Sequence, residues 1–347
     1  MRTVHVQTAE PYDVYIGADL LSECGQIINK AAGGSKAMIV SDSNVAPLYL
    51  EKVVKSMEAA GYECVSKVIN AGEEHKNFAT LVDIVETAAA ERLSRKDIMV
   101  ALGGGVVGDI TGFAAAVYMR GIGYVQLPTT VLAAVDSSVG GKTAVDLPMG
   151  KNLAGAFYQP KAVICDYDCF DTLPDRDRNS GYAEVIKYAM IRGTEIFDML
   201  DGPVENLIAK CITIKAVIVS EDEHESGVRQ LLNFGHTIGH ALEQNSGYTM
   251  LHGEAVARGM VYACELAEAK GKLAEGTKKT LIDALLRYNL DVDGAFDAEA
   301  IEGYMRNDKK AGGDKVNFVM PERIGACTVE RMDIGEIVGV INELHNC

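Results

Sequence analysis

Two groups of residues in this chain have types and spacings that could do chemistry. The first lies between Leu127 and Pro160, LPTTVLAAVDSSVGGKTAVDLPMGKNLAGAFYQP. Thr129 and Thr130 follow a proline. Asp136 leads through two serines into Gly140-Gly141-Lys142-Thr143, and Lys151 stands beside Asn152. Two ammonium groups, a carboxylate and an amide along a glycine-rich path suit a small anionic polyol. Small residues let the backbone approach a ligand, and lysines act as charge clamps on phosphate. The apolar spacing around these charges implies a half-buried segment.

The second group is metal-like. NFGHTIGHALE places His236 and His240 four apart on one helical face. LHGEAVARG supplies His252 just ahead of another helix, and SGYAEVIKYAM supplies Glu184 and Lys187, three apart on a third. Two histidines and one carboxylate, with a position open for substrate, make the donor set of a catalytic zinc site. Spacing alone favours His236 with His240, by analogy with H-E-x-x-H. It does not decide between His240 and His252.

These residues need elements to hold them. TVHVQTA and DVYIG read as short strands and LLSECGQIINKAA as a helix. KAMIVSD is a buried strand before a helix from about Val45 to Ala60, and YECVSKVIN, a helix from Phe78 to Arg92, and DIMVAL repeat the pattern. Strand and helix alternating at this spacing imply a largely parallel sheet covered by helices. Gly103-Gly104-Gly105 follows DIMVAL and precedes a helix from Val106, which presents backbone N–H groups to a diphosphate. The run reads GGGVVGD, so it is not the G-x-G-x-x-G fingerprint. Ser41-Asp42-Ser43-Asn44 ends KAMIV, where an acidic side chain can bond ribose hydroxyls, and Gly72-Glu73-Glu74-His75-Lys76 follows VIN. Three polar strand ends on the carboxyl edge of one sheet mark where a dinucleotide would lie.

Strand signals stop near Val163–Asp166, and DTLPDRDRNSG reads as a polar connection. Beyond it NLIAKCITIKAVIVSEDE, GEAVARGMVYACELAEAKG and KKTLIDALLRYNL carry helix-spaced apolar residues. VNFVM and ACTVE suggest a small strand pair before a last helix, IGEIVGVINEL. The expected organisation is an α/β dinucleotide-binding domain over residues 1–168 and a mostly helical metal- and substrate-binding domain over 169–347.

Composition narrows the class. A chain of 347 residues suits two cores, and 48% apolar with 24% charged residues is that of a soluble globular protein. A net charge of −16 argues against nucleic acid or an acidic membrane surface as partner. No apolar run has the length of a membrane span, and the N-terminus has no apolar h-region, so no secretory signal is expected. Eight scattered cysteines without C-x-x-C suggest free thiols in a reducing, cytoplasmic setting.

Together these residues resemble the 3-dehydroquinate synthase family of sugar-phosphate cyclases. The resemblance spans nearly the whole chain and is carried by GGGVVGDITGF, by RGIGYVQLPTTVLAAVDSSVGGKTAVDLPMGKNLAGAFYQPKAV, by SGYAEVIKYAMI, and by RQLLNFGHTIGHALE with LHGEAVARGM. It implies an N-terminal NAD-binding α/β domain, a C-terminal, mostly helical metal domain, and an active site between them. It assigns Glu184, His236 and His252 to one divalent metal, zinc or cobalt, and turns His240 to the substrate, which overrules the four-residue spacing. The substrate set it implies is Arg120, Asp136, Lys142, Lys151, Asn152, Lys187, Arg229, Asn233 and His240, with Lys310 (or Lys309) closing it. Among these His240, Lys142, Asn152 and Lys187 would be catalytic. NAD would touch Asp42, Asn44, Glu73, Lys76, Gly104, Gly105, Val106, Asp109, Thr129, Thr130, Leu132, Asp136, Lys142, Lys151, Thr172 and Leu173.

The implied reaction converts 3-deoxy-D-arabino-heptulosonate 7-phosphate to 3-dehydroquinate and phosphate, a step of the shikimate pathway toward aromatic amino acids. NAD is recycled within each turnover, and a homodimer is the family expectation. Three alternatives stand beside it. Another sugar-phosphate cyclase, of inosose or valiolone type, would keep the NAD and metal sites but not a carboxylate pocket such as Arg229, Asn233 and His240 suggest. A metal-dependent polyol dehydrogenase would show net NAD turnover and would not need the lysines. A non-catalytic binding protein would not need the full polar set.

Overall fold

The computed structural model of the chain describes residues 1–294, 296–308 and 313–345. The chain divides into two compact units, Met1–Leu173 with Val204–Glu223, and Pro174–Pro203 with His224 onward.

The first unit opens with β1 (Arg2–Val6) and β2 (Tyr12–Gly17), followed by α1 (Cys24–Ala32) and β3 (Lys36–Asp42). Next come α2 (Ala46–Ala59), β4 (Glu63–Ile69), α3 (Phe78–Ala90) and β5 (Ile98–Gly103). Then α4 (Gly105–Val117), β6 (Gly123–Pro128), a hairpin of β7 (Lys142–Leu147) and β8 (Gly150–Phe157), and β9 (Ala162–Asp166) complete the sequence. Seven strands form one sheet in the order β1-β2-β9-β6-β5-β3-β4, and only the β1–β2 pair is antiparallel. All six residues of β5 and all five of β9 are buried, as strands covered on both faces must be. Edge strand β4 is mostly exposed or half-buried. Met38, Val40, Met99 and Ala101 from the sheet pack with Val107, Ile110 and Phe113 of α4.

The order of the strands also locates a binding crevice. From β3 the chain steps outward to β4, while β5 and β6 continue on the other side of β3. The order therefore reverses between β3 and β5, and ligands of open parallel sheets sit outside the carboxyl ends at such a point. Asp42 and Gly103-Gly104 stand there.

The second unit begins with α5 (Asp175–Ile191) and α6 (Ile196–Met199). The polar run DTLPDRDRNSG is thus only partly a connection, since α5 starts inside it. Pro174 precedes the first turn, Asp175 and Asp177 face the positive helix N-terminus, and Arg178 pairs back with Asp175 at 2.5 Å. Then α7 (Val204–Glu221) follows. It belongs to the first unit, where it packs against β1, β2 and the turn at Ala133–Ser137 and buries Leu207, Ile208, Cys211, Ile212, Ile218 and Val219. A single cut near Cys169 does not describe this division. The apolar stripe of α7 looks the same in sequence whichever unit covers it.

The second unit continues with α8 (His236–Asn245), α9 (His252–Ala269), α10 (Thr277–Leu286) and α11 (Ala298–Asp308). The hairpin β10 (Lys315–Arg323) with β11 (Ala326–Asp333) and the last helix α12 (Ile334–His345) end it. Seven cysteines are described and all are free thiols. No described helix is long and apolar enough to cross a membrane.

Candidate active site

In the first unit the carboxyl ends of β4, β3, β5 and β6 lie side by side. Gly104 caps α4 in an extended conformation without any side-chain cap, so the first-turn N–H groups are offered outward beside half-exposed Gly105 and Val106. A Cβ on Gly104 would stand 3.1 Å from the Thr130 methyl. One on Gly105 would stand 3.1 Å from Ser137 Oγ and 3.9 Å from Leu132. A side chain at either glycine would press on Thr130 or on Ser137. Thr129 donates its backbone N–H to Gly103 O at 3.0 Å, tying β6 to β5, while its buried hydroxyl finds no partner among the described residues. An orphaned buried hydroxyl beside a bare helix N-terminus fits a phosphorylated dinucleotide. At the end of β3, Asp42 accepts the N–H groups of Asn44 at 2.8 Å and Val45 at 3.0 Å. Thr172 bonds Tyr49 through its hydroxyl at 2.6 Å, just ahead of Leu173.

A charged cluster joins the dinucleotide candidates to the hairpin. Lys76 is buried, and its ammonium donates to Asp109 and to the Asn152 side chain, each at 2.6 Å. Glu73 lies 3.9 Å from Lys76 and 3.6 Å from Lys151. Burial works against the Lys76 charge, but the carboxylates of Asp109 and Glu73 more than offset it and hold its pKa up. Asn152 adopts a left-handed φ of 56° and is held there by its N–H donated to Asp146 at 2.7 Å. Arg120 is likewise left-handed, φ 67°, directly after Met119 at φ 50°. Such backbone persists only where the surroundings over-determine it. Lys142 opens β7 on the exposed side.

Asp136 sits in a π turn, Ala133–Ser137, and is gripped by Lys215 of α7, whose Nζ donates to its carbonyl at 2.7 Å and its carboxylate at 2.8 Å. The sequence reading missed Lys215. The signal available was a lysine set among Ile212, Ile214 and Ala216, where an unpaired charge would be costly.

In the second unit, α5, α8 and α9 meet at glycines. The N–H of Gly253 donates to Ser180 Oγ at 3.1 Å, and a Cβ there would lie 1.9 Å from Ser180 O. One on Gly259 would lie 2.0 Å from Gly235 O. Arg176 forks onto Glu254 at 2.7 and 2.8 Å, fixing the same helix starts. One turn past Ser180, the fully buried Glu184 points at both neighbouring helices.

The result is a convergence of Glu184, His236 and His252, whose candidate donor atoms lie within 4.8 Å of one another. The Nε2 atoms of His236 and His252 each stand 3.4 Å from Glu184 Oε1. His236 Nδ1 donates to Phe234 O at 3.1 Å, which places that ring's proton on Nδ1 and turns Nε2 inward. Two imidazoles and a carboxylate facing one point are a donor set for a divalent ion such as zinc. Burial drives the His236 pKa well below its ordinary value. It opposes charge on His252 too, but Glu184 and Glu243 prevail and lift that ring to about 9, so an incoming cation displaces a proton there.

Lys187, one turn past Glu184 on α5, is buried and ion-pairs with Glu184 Oε2. His240 lies beside the cluster with its ring centroid 5.4 Å from that of His236 and 5.8 Å from that of His252. Arg229 is buried in the turn Val228–Asn233, and Asn233 donates its amide to Glu225 at 2.6 Å. Neither Glu225 nor the buried Glu243 was singled out in the sequence. Lys309 and Lys310 lie outside the described residues.

Comparison with known proteins identifies the family. The 3-dehydroquinate synthase N-terminal family model matches residues 66–180, and the 3-dehydroquinate synthase C-terminal model matches residues 181–311. A 3-dehydroquinate synthase of Laribacter hongkongensis is 44% identical over 332 residues, covering 92% of this chain and 92% of that protein. Among solved structures, a 2-deoxy-scyllo-inosose synthase complexed with carbaglucose-6-phosphate, NAD+ and Co2+ aligns with a TM-score of 0.88 at 26% identity. It covers 99% of this chain and 100% of its own. A 2-epi-5-epi-valiolone synthase from Streptomyces hygroscopicus with NAD+ and Zn2+ bound aligns with a TM-score of 0.88 at 26% identity, covering 100% of this chain and 99% of its own. The dehydrogenases that share the architecture fall to 14–16% identity, a likeness of fold alone. With both halves matched in order and a relative this similar over nearly its full length, the chain belongs to the 3-dehydroquinate synthase family.

Proposed function

We propose that the chain converts 3-deoxy-D-arabino-heptulosonate 7-phosphate to 3-dehydroquinate and phosphate, using NAD and one divalent metal, zinc or cobalt. The observation that carries this reading is the convergence of Glu184, His236 and His252 with both Nε2 atoms turned toward one carboxylate oxygen. When bound, the metal lowers the pKa of a substrate hydroxyl and NAD supplies a reversible oxidation of the same carbon.

The residues of the chain have the following parts. Glu184, His236 and His252 hold the metal. Gly104, Gly105, Val106, Thr129, Thr130 and Leu132 cradle the dinucleotide with Asp42, Asn44, Glu73, Lys76, Asp109, Thr172 and Leu173, and Asp136, Lys142 and Lys151 reach both ligands. Lys142 and Asn152 bind the phosphate end. Arg120 and Lys187 also belong to the substrate set, as does Lys310. Arg229 and Asn233 grip the substrate carboxylate, and His240 carries the proton. Lys187 places a positive charge beside Glu184.

The known structures of inosose and valiolone synthases keep a second reading in view, a cyclase acting on a sugar phosphate that has no carboxylate. Buried Arg229 supports a carboxylated substrate, since a guanidinium matches a carboxylate with paired hydrogen bonds. Cytoplasmic location and a homodimer complete the proposal. The test measures phosphate release from the heptulosonate phosphate by metal-loaded protein with catalytic NAD, while NADH absorbance is followed. Stoichiometric phosphate with no net NADH is expected. Net NADH from a simple polyol without phosphate release would replace the reading with a dehydrogenase.

A further inference from the structure

Glu243 is buried on α8, seven residues after His236 and so on the same side of that helix. Its Oε2 lies 3.4 Å from Nδ1 of His252, while Nε2 of the same ring lies 3.4 Å from Glu184 Oε1. The imidazole of His252 is therefore held between two carboxylates, one on each nitrogen. We propose that Glu243 is a positioning residue for the metal: it accepts the Nδ1 proton of His252, fixes that tautomer and aims Nε2 at the cation held with Glu184 and His236. The inference rests on the metal reading given above.

The geometry offers a rival use of the same atoms. Candidate donor atoms of His240, Glu243 and His252 also lie within 4.8 Å of one another, which would suit a second cation. His252 would then have to lend Nδ1 to one ion and Nε2 to the other, giving up its only ring proton. A neutral imidazole has a single lone pair for a metal, so one ion with an oriented ligand is the chemically simpler state. His236 shows the same arrangement, its Nδ1 engaged by Phe234 O and its Nε2 turned inward. A buried carboxylate beside a ligand histidine is the usual means of orienting the ring and raising its basicity. The signal was present in HTIGHALE, whose last residue is this glutamate.

The test compares wild type, Glu243→Gln and Glu184→Gln for zinc and cobalt binding by competition with a chromophoric chelator, alongside the visible spectrum of the cobalt forms. The wild type is expected to take one ion per chain. Glu243→Gln should also take one, with affinity lower by about 10–100-fold and a shifted cobalt spectrum, while Glu184→Gln should lose binding. Wild-type affinity and spectrum in Glu243→Gln, with binding lost in Glu184→Gln, would overturn the positioning role and leave the metal reading intact. Two ions in wild type and one in Glu243→Gln would make Glu243 a ligand of a second site and overturn it too. No binding by wild type would remove both readings. Should Glu243→Gln fail to fold, nitrogen NMR of the zinc-loaded wild type decides: the His252 proton belongs on Nδ1, and its absence there sinks the proposal.

Discussion

The ammonium of Lys215 grips Asp136 twice, at the main-chain carbonyl and at the carboxylate. This contact helps to hold the π turn against α7, and the turn carries Asp136 and flanks the glycine cradle. Replacing the lysine by Met takes this ammonium away from a carboxylate that is about a fifth exposed. A cost of about 1–3 kcal/mol is expected, below the range for fully buried pairs because solvent reaches Asp136. Urea unfolding of Lys215→Met, Asp136→Asn and the double variant measures it. The double variant should recover part of the loss, and simple additivity would show that the pair does not couple.

Gly253→Ala places a methyl 1.9 Å from Ser180 O, a backbone atom that cannot step aside. The helices α5 and α9 must separate, costing about 1–3 kcal/mol or more, and His252 moves away from Glu184. Lower thermal stability together with zinc affinity reduced at least tenfold is the expected pair of outcomes. An unaltered affinity would mean that the close approach does not set the site.

Lys142 begins β7 on the exposed side, so its removal should leave the fold alone. A charge-assisted contact is worth about 1.5–3 kcal/mol. Lys142→Ala should therefore raise the KM for the heptulosonate phosphate by about 10–100-fold while NAD affinity changes much less. Equal losses for both ligands in fluorescence titrations would take Lys142 out of the phosphate pocket.

Asp97 precedes β5 and accepts from the Ser94 N–H and hydroxyl, both at 2.7 Å, and from the Lys36 N–H at 3.0 Å. Burial opposes its charge, but these donors outweigh it and hold the carboxyl below its ordinary value of 3.8. The folded value is the lower one, so the stabilisation is complete above 3.8 and is lost as pH falls through the folded value. Asp97→Ala should cost about 1–3 kcal/mol at neutral pH. The gap to wild type should narrow in acid below pH ~4. A gap that stays constant with pH would assign the effect to packing.

The sequence carried the dinucleotide edge because its signals are local. Gly103 to Gly105 must follow a strand, and Asp42 and Glu73 sit at strand ends that any parallel sheet brings to one edge. The metal site was less legible. His236 and His240 share a helical face, but the second imidazole that faces Glu184 is His252, delivered by α9 through the contact of Gly253 with Ser180. No periodicity reports a contact between helices. Resemblance to a known family supplied that pairing, and nothing in the residues alone did. Lys215 and Glu243 stand in runs that flag a buried charge, but their partners lie on other elements and are not marked by any local spacing.

The place of α7 bears on how the chain is made. The first unit is not finished when Leu173 leaves the ribosome, because the strands and turn under α7 stay bare until residues Val204–Glu221 have been synthesised. During that interval Pro174–Pro203, which belong elsewhere, have already emerged. A fragment ended at residue 180, where the two family models meet, would cut α5 and also lack α7. Such a fragment should be sticky and poorly folded, whereas one that runs through Glu223 has every helix its sheet requires.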